Sequence, residues 1–298
     1  MERRRFGNTD MDVSVLGFGG AEIGFQGASQ ADVNKLLNGA LDAGLNIIDT
    51  AECYINSEEL IGKAVAGRRS DFYLFTKCGH KDNYDEDAWA AADLARSIDR
   101  SLKRLQTDYV DLIQLHSCSL EHLKQGDVIT VLQKAKQDGK ARYIGYSGDG
   151  QAARFAIETG AFDALQTSVS IADQEALELT LPLARARALG VIAKRPVANA
   201  AWRDGRKPAN EYAQPYWERL QKLKYDFING DLARSIAIAL RFTLSVSGIH
   251  TAIVGTRQPG RWLENARMVA EGLLPESEFE SIRARWKEVA APDWHGEV

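Results

Sequence analysis

The sequence predicts an α/β fold, a closed (β/α)8 barrel of the TIM type with an N-terminal β-hairpin, and three observations carry that prediction. Eight short apolar runs alternate with longer segments of helical period along 298 residues. The runs are apolar on both sides, as parallel strands are when helices cover both faces of their sheet. No long Pro- or Ser-rich linker interrupts the alternation and no GxGxxG phrase follows the first run, which favours a closed barrel over an open dinucleotide-binding sheet. Barrels of this kind reach such lengths as one unit, so residues 1–298 are expected to form a single domain.

In chain order, RRRFGNTDMDVSVLG reads as a hairpin with Asn8 to Met11 in its turn, and VSVLGFG as the first barrel strand. A helix from about Ala31 to Ala43 places Leu36, Leu37, Ala40 and Leu41 on one face, with Ser29 and Asp32 forming a variant capping box. The run NIID then turns to strand. A helix from Ser57, the strand FYLFTK and a helix from near Asp87 to Leu105 follow, the last with Leu94, Ile98, Leu102 and Leu105 at helical spacing. Next come YVDLIQLH, a helix ending at Asp138-Gly139, ARYIGYS, a helix from Gly150, and FDALQTS. A helix through Leu189-Gly190, the strand VIAKRP, a helix from about Asp231 and the strand IHTAIVG complete the eight units. The longest irregular stretch, Ala198 to Tyr216, follows the seventh strand on the side where barrel enzymes carry their chemistry.

Composition narrows the function class. Lys plus Arg number 37 against 41 for Asp plus Glu, which gives no reason to expect nucleic acid or an anionic membrane as partner. The basic start MERRR leads into FGNTDMDV rather than an apolar stretch, and no run reaches membrane-spanning length, so a soluble cytoplasmic protein is expected. Cys53, Cys78 and Cys118 are odd in number and lack paired spacing, as reduced thiols rather than a disulfide framework would be. Five histidines furnish no evident His and carboxylate cluster, so no metal is expected.

In a barrel, polar groups at the C-terminal ends of strands meet in one mouth however distant they are in sequence. Asp49 ends the second strand, Lys77 the third and His116 the fourth, while Tyr54 lies on the loop after the second. A phenol is a poor proton donor near neutrality, and an adjacent ammonium corrects this by stabilising the phenolate. Lys77 supplies the ammonium, Asp49 aims it, and His116 offers a hydrogen bond to an oxygen held against Tyr54. Such a group protonates a carbonyl oxygen while a cofactor delivers hydride to the carbon.

These residues resemble the aldo-keto reductase family. DTAECY is similar to that family's strand-two signature, FTK to its strand-three lysine and LIQLH to its strand-four histidine, and the likeness runs from the hairpin to near Arg267. It implies that Tyr54 is the proton donor, that Lys77 and Asp49 tune it, and that His116 orients the substrate carbonyl. The implied cofactor is NADPH/NADP+, extended across the mouth and touching Asp49 as well. IGYS carries a nicotinamide carboxamide contact to Ser147, and LQTS another to Gln166. In AKRPV, Arg195 and Pro196 join the cofactor contacts. GTRQPGRWLENA resembles an adenosine clamp, with Arg257 and Arg261 for the 2′-phosphate and Glu264 and Asn265 for adenine.

Two departures from the family pattern are visible: Gly148 stands where Asn usually follows the serine, and Lys194 where an aromatic ring usually stacks on nicotinamide. A lysine there is expected to disfavour cationic NADP+ relative to NADPH. Trp202 and Trp217 are candidates for pocket walls, and the three cysteines either fill space behind the strand ends or, if exposed near Lys77, respond to oxidants. The resulting expectation is an NADPH-dependent reductase of small-molecule aldehydes or ketones, or an oxidoreductase of the corresponding alcohols. The alternative from another class is an NADPH-binding, redox-sensing regulatory subunit with little turnover. Oligomeric state is left open by the sequence.

Overall fold

Alternation along each apolar run decides which side chains fill the barrel. In the computed structural model, which describes residues 1–81 and 89–297, the N-terminal hairpin pairs β1 (Arg3–Arg5) with β2 (Asp12–Ser14). Eight parallel strands then close on themselves. They are β3 (Leu16–Gly19), β4 (Ile47–Asp49), β5 (Tyr73–Cys78), β6 (Val110–His116), β7 (Ala141–Ser147), β8 (Ala164–Ser168), β9 (Gly190–Lys194) and β10 (Thr251–Gly255), with β10 also pairing β3. The expected barrel and hairpin are therefore the observed ones. The first barrel strand starts at Leu16, because Val13 and Ser14 belong to the hairpin.

Ile47, Phe75, Leu112, Ala164 and Ile192 point inward and pack against Phe6, Met11 and Val13 of the hairpin, which plugs the lower end. Seating the plug requires glycine at position 190, where any Cβ would come within 2.4 Å of the Phe6 ring. Polar contacts lock it from outside: Asp111, buried on β6, accepts from Arg69 and Arg142 at 2.7 Å each, and Arg142 reaches Asp10 of the hairpin turn at 2.6 Å. Because side chains on a strand repeat every second residue, the inward residues one step further along are Asp49, Lys77, Gln114, Gln166 and Lys194. The upper end of the barrel is thus polar by the same periodicity that makes its lower end apolar.

The outer layer follows the expected order. The helix α1 (Ala21–Phe25) precedes α2 (Gln30–Asp42), where Ser29 caps by accepting from Asp32 N at 3.1 Å. Then come α3 (Ser57–Ala64) and α4 (Ala91–Leu105), whose Leu94, Ile98 and Leu105 are buried; the expected start near Asp87 lies outside the described residues. A short α5 (Leu120–Gln125) precedes α6 (Asp127–Gln137), and α7 (Gly150–Thr159) follows β7. The helix expected through Leu189-Gly190 is instead α8 (Ala176–Leu179) and α9 (Leu181–Ala186). Pro182 lies in the first turn of α9, where its missing N–H is harmless although it would break a longer helix, and Gly190 already opens β9. Beyond β9 lie α10 (Gln214–Leu223), α11 (Leu232–Ser245) capped by Asp231, α12 (Arg261–Val269) and α13 (Glu276–Val289). Among the described residues no helix is long and apolar enough to cross a membrane.

One buried carboxylate lies between the barrel and its helices. Glu58 of α3 accepts from Thr76 Oγ1 at 2.6 Å, and Arg104 is 3.8 Å from its other oxygen. Burial pushes its pKa from 4.5 up to about 7, against the opposing pull of the Thr76 hydrogen bond. Between those values the folded chain binds a proton that the unfolded chain has lost, so stability falls as pH rises through that window, by on the order of 3 kcal/mol in full. Glu58→Gln keeps the acceptor for Thr76 and removes the titration. Thermal melts should show the variant gaining on the wild type from pH 5 to pH 8, and parallel curves for the two proteins would refute the assignment.

Candidate active site

At the upper end, adjacent strands place their last inward residues side by side: Lys77 pairs in register with Gln114, His116 with Ser147, Ser147 with Gln166 and Ser168 with Lys194. Lys77, only 1% exposed, donates to Asp49 Oδ1 and to Thr50 O, the latter at 2.9 Å. The other oxygen of Asp49 accepts from Gln166 Nε2 at 2.9 Å and Gln114 Nε2 at 3.2 Å. A buried ion pair is tolerable only when its remaining valences are met, and here they are met by side chains from two further strands and by the Thr50 carbonyl.

Tyr54 reaches the mouth from the loop between β4 and α3. Its ring centroid is 5.2 Å from Lys77 Nζ and 5.6 Å from the His116 ring. The loop presses close to α1, since any Cβ at Gly24 would come within 2.1 Å of Tyr54 O, and Phe25 stacks obliquely at 5.5 Å. His116 is buried, and burial together with the charges of Lys77, His80, Lys194 and Arg195 pulls its pKa well below the ordinary value, so its ring is neutral at pH 7. Cys53 Sγ lies 3.3 Å from its Nδ1. All four residues expected from the strand ends thus meet in one mouth, as an ion pair, a phenol and a neutral imidazole.

The residues expected to hold a cofactor fall into three groups. Ser147 donates to Gln166 Oε1 at 3.2 Å, a buried hydroxyl and amide that could serve the donor and acceptor atoms of a carboxamide. Arg195 donates to Ser168 Oγ at 2.7 Å and lies over the Tyr212 ring at 4.9 Å, while Pro196 O accepts from Thr243 Oγ1. After β10, Arg257 is exposed and makes a 3.3 Å bond to Gln26 O, so its guanidinium is within reach of an arriving phosphate. Arg261 pairs with Glu264 at 2.9 Å on the outer face of α12, and Asn265 is buried on its inner face. This donor set fits a nicotinamide dinucleotide.

Some participants were missed from sequence. Gln114 sits two positions before His116 on the same strand, so the period of two that selected His116 selects it too. Asp149, the cap residue before α7, has a side chain only 6% exposed. It accepts from Thr167 Oγ1 and Ser168 N at 2.7 Å and from Lys194 Nζ at 2.9 Å. Burial works against its ionisation, but Lys194 and Arg195 hold its pKa below the ordinary value. Lys194 is correspondingly moved down to about 8, by burial first and with partial relief from Asp149. Trp202, a candidate pocket wall, is 4% exposed and donates to Ser235 Oγ at 2.9 Å, which makes it an anchor of its loop. Trp217 packs partly buried against the core. Among the described residues no group of three or more His, Cys, Asp or Glu could hold a metal ion.

Comparison with known proteins places the chain in a family and agrees with the fold. The model of the Aldo/keto reductase family matches residues 15–287. L-galactose dehydrogenase of Arabidopsis thaliana is 30% identical over 291 residues, 91% of this chain and 89% of that protein. The NADH-specific methylglyoxal reductase of Escherichia coli (strain K12) is 29% identical over 220 residues, 66% of this chain and 68% of that one. Among solved structures, the holo form of the aldo-keto reductase AKR11C1 from Bacillus halodurans superposes with a TM-score of 0.83 at 26% identity, covering 98% of this chain and 99% of that one.

All three thiols are buried. Cys53, Cys78 and Cys118 are each 1% exposed, and burial pushes the Cys78 thiol far above its ordinary value, with Glu52 adding to the shift. A thiolate is the reactive form. An aromatic disulfide reagent should therefore modify none of the three thiols in the native protein within minutes and all of them in denaturant. Rapid native modification of one thiol would restore the oxidant-responsive reading.

Proposed function

This chain belongs to the aldo/keto reductase family, oxidoreductases that act on carbonyl and sugar substrates with nicotinamide cofactors, and from that premise we propose that it is an NADPH-dependent reductase of small aldehydes or ketones with Tyr54 as proton donor. The observation that carries the reading is the convergence of Lys77, Asp49 and His116 from three strand ends and of Tyr54 from a loop into one mouth. In this reading the chain works as one domain in the cytoplasm.

The cofactor supplies hydride to the carbonyl carbon. Tyr54 gives its proton to the carbonyl oxygen as negative charge builds there, and the Lys77 ammonium stabilises the charge left on the phenol oxygen. Asp49 keeps that ammonium aimed, and Thr50 O takes a second of its three N–H groups. His116, held neutral by its surroundings, donates a hydrogen bond to the substrate oxygen. That role places the ring proton on Nε2 and leaves Nδ1, 3.3 Å from Cys53 Sγ, to accept from the thiol. Ser147 and Gln166 would hold the carboxamide of the bound cofactor. In the oxidising direction the same groups run in reverse, with Tyr54 taking the proton from an alcohol.

Preference for the phosphorylated cofactor rests on Arg257 and Arg261. Arg257, with one long backbone contact, is the freer of the two to pair with a 2′-phosphate, because Arg261 already has Glu264. Guanidinium groups match phosphate geometry in a way an ammonium cannot.

Tyr54→Phe should lower kcat for carbonyl reduction by about 10² to 10⁴ while the NADPH dissociation constant, read by quenching of tryptophan fluorescence, stays within twofold. A variant with near-normal kcat would sink the mechanism. Arg257→Ala should weaken NADPH about 10-fold, the equivalent of about 1.4 kcal/mol, and leave NADH unchanged, with the difference shrinking as salt rises. Equal affinities of the wild type for both cofactors would remove the preference altogether.

A further inference from the structure

Tyr54 is carried by a loop, and a loop residue holds a catalytic position to a fraction of an ångström only if something rigid holds the loop. Part of the support comes from strands: Thr50 N donates to Phe75 O at 2.9 Å and Glu52 N to Lys77 O at 3.2 Å. The rest comes from a side chain. Glu52, two residues before Tyr54 and 2% exposed, sends its carboxylate away from the mouth to α4. One oxygen accepts from Ser97 Oγ, and the other accepts from Arg100, with Nε at 2.7 Å and Nη2 at 2.5 Å. Arg104, one turn further along α4, donates to Glu52 O at 3.3 Å. A single residue therefore bridges the backbone of Lys77 and three side chains of α4.

We propose that Glu52 is a positioning residue for Tyr54, clamping the phenol's loop to α4 through Ser97 and Arg100. The inference rests on Tyr54 being the proton donor. The carboxylate lies outside the barrel wall and touches neither substrate nor cofactor, so it acts through where it puts the loop. The start of that loop is tied to the chemistry: Lys77 Nζ donates to Thr50 O, and Glu52 N donates to Lys77 O. A shift of Glu52 therefore moves Tyr54 relative to the Lys77 ammonium. The partners differ in what they lose when the clamp opens. Arg100 is 39% exposed and can hydrate, whereas the buried carboxylate cannot. Removing Arg100 is thus expected to displace the loop as effectively as neutralising Glu52. A displacement of about 1 Å in a reacting group is enough to cost about 10²-fold in rate.

The test compares Glu52→Gln, Arg100→Met, their double variant and Tyr54→Phe in the full-length chain. Glu52→Gln and Arg100→Met should each lower kcat about 10- to 100-fold, with substrate KM and the NADPH dissociation constant within twofold of wild type. The solvent deuterium isotope effect on kcat should rise, because proton transfer from a misplaced phenol becomes slower than the other steps. The double variant should be no slower than the worse single one, as expected when both act through one contact. If Glu52→Gln does not fold, Arg100→Met, on a partly exposed side chain, carries the same comparison. Wild-type kcat and isotope effect in folded Arg100→Met and Glu52→Gln, alongside an inactive Tyr54→Phe, would overturn the clamp and leave the proton-donor reading intact. An active Tyr54→Phe would overturn that reading and the clamp with it.

Discussion

The ion pair of Lys77 with Asp49 is the interaction on which the upper half of this barrel depends. Withdrawing two charges from water is repaid only when their remaining hydrogen-bonding capacity is also satisfied. Asp49 on β4 needs Lys77 from β5, Gln114 from β6 and Gln166 from β8 at the same time. Those four side chains converge only if the sheet is closed and in register, so the pair and the barrel depend on each other. Losing either charge would leave the other buried without its counter-ion, a larger penalty than the pair itself is worth.

Closure in turn is secured from the opposite end. The hairpin fills the lower mouth with Phe6, Met11 and Val13, while Arg142, bonded to Asp111 on the wall, ties that plug in place through Asp10. The two ends have opposite character because each strand contributes alternate residues to one interior column. Apolar residues occupy the lower layers, and polar ones take over at the upper end, where they remain buried and satisfy one another. Tyr54 escapes this rule, since it comes from a loop, and it is the one group of the four whose placement the strand lattice does not dictate. That difference is why the clamp at Glu52 belongs to the mechanism and not only to the fold.

Much of this was legible in the sequence because strand ends announce themselves: an apolar run that stops at Asp49, Lys77 or His116 marks both a direction and a depth. Gln114 was equally legible by parity and was passed over in favour of the more reactive histidine beside it. The broken helix before β9 was also written in Pro182. By contrast α13 is seated by tertiary contacts, with the Phe279 ring 5.1 Å from that of Phe242 on α11 and the Trp286 ring 5.4 Å from that of Trp294. No local pattern encodes a partner from a distant segment. The same applies to Glu52, whose partners Ser97 and Arg100 lie more than forty residues further along the chain.

Lys194 shows how such distant pairing changes a chemical conclusion. Read alone, an inward lysine at the end of β9 puts a cation in the mouth, and two unit charges ~6 Å apart at an effective dielectric of about 20 repel by about 3 kcal/mol. Such repulsion is the basis for expecting oxidised cofactor to be disfavoured. Asp149 lies 2.9 Å from the ammonium, and a compensating anion placed that much further along the same line reduces the repulsion to about 1 kcal/mol. Asp149 itself is held ionised by Lys194 and Arg195 together, so the compensation persists through neutral pH. Arg195 adds a second cation, but its guanidinium is turned onto Ser168 and the Tyr212 ring. The mouth therefore carries much less excess positive charge than its lysine and arginine suggest. Discrimination between oxidised and reduced cofactor by Lys194 is correspondingly weak as long as Asp149 stays ionised.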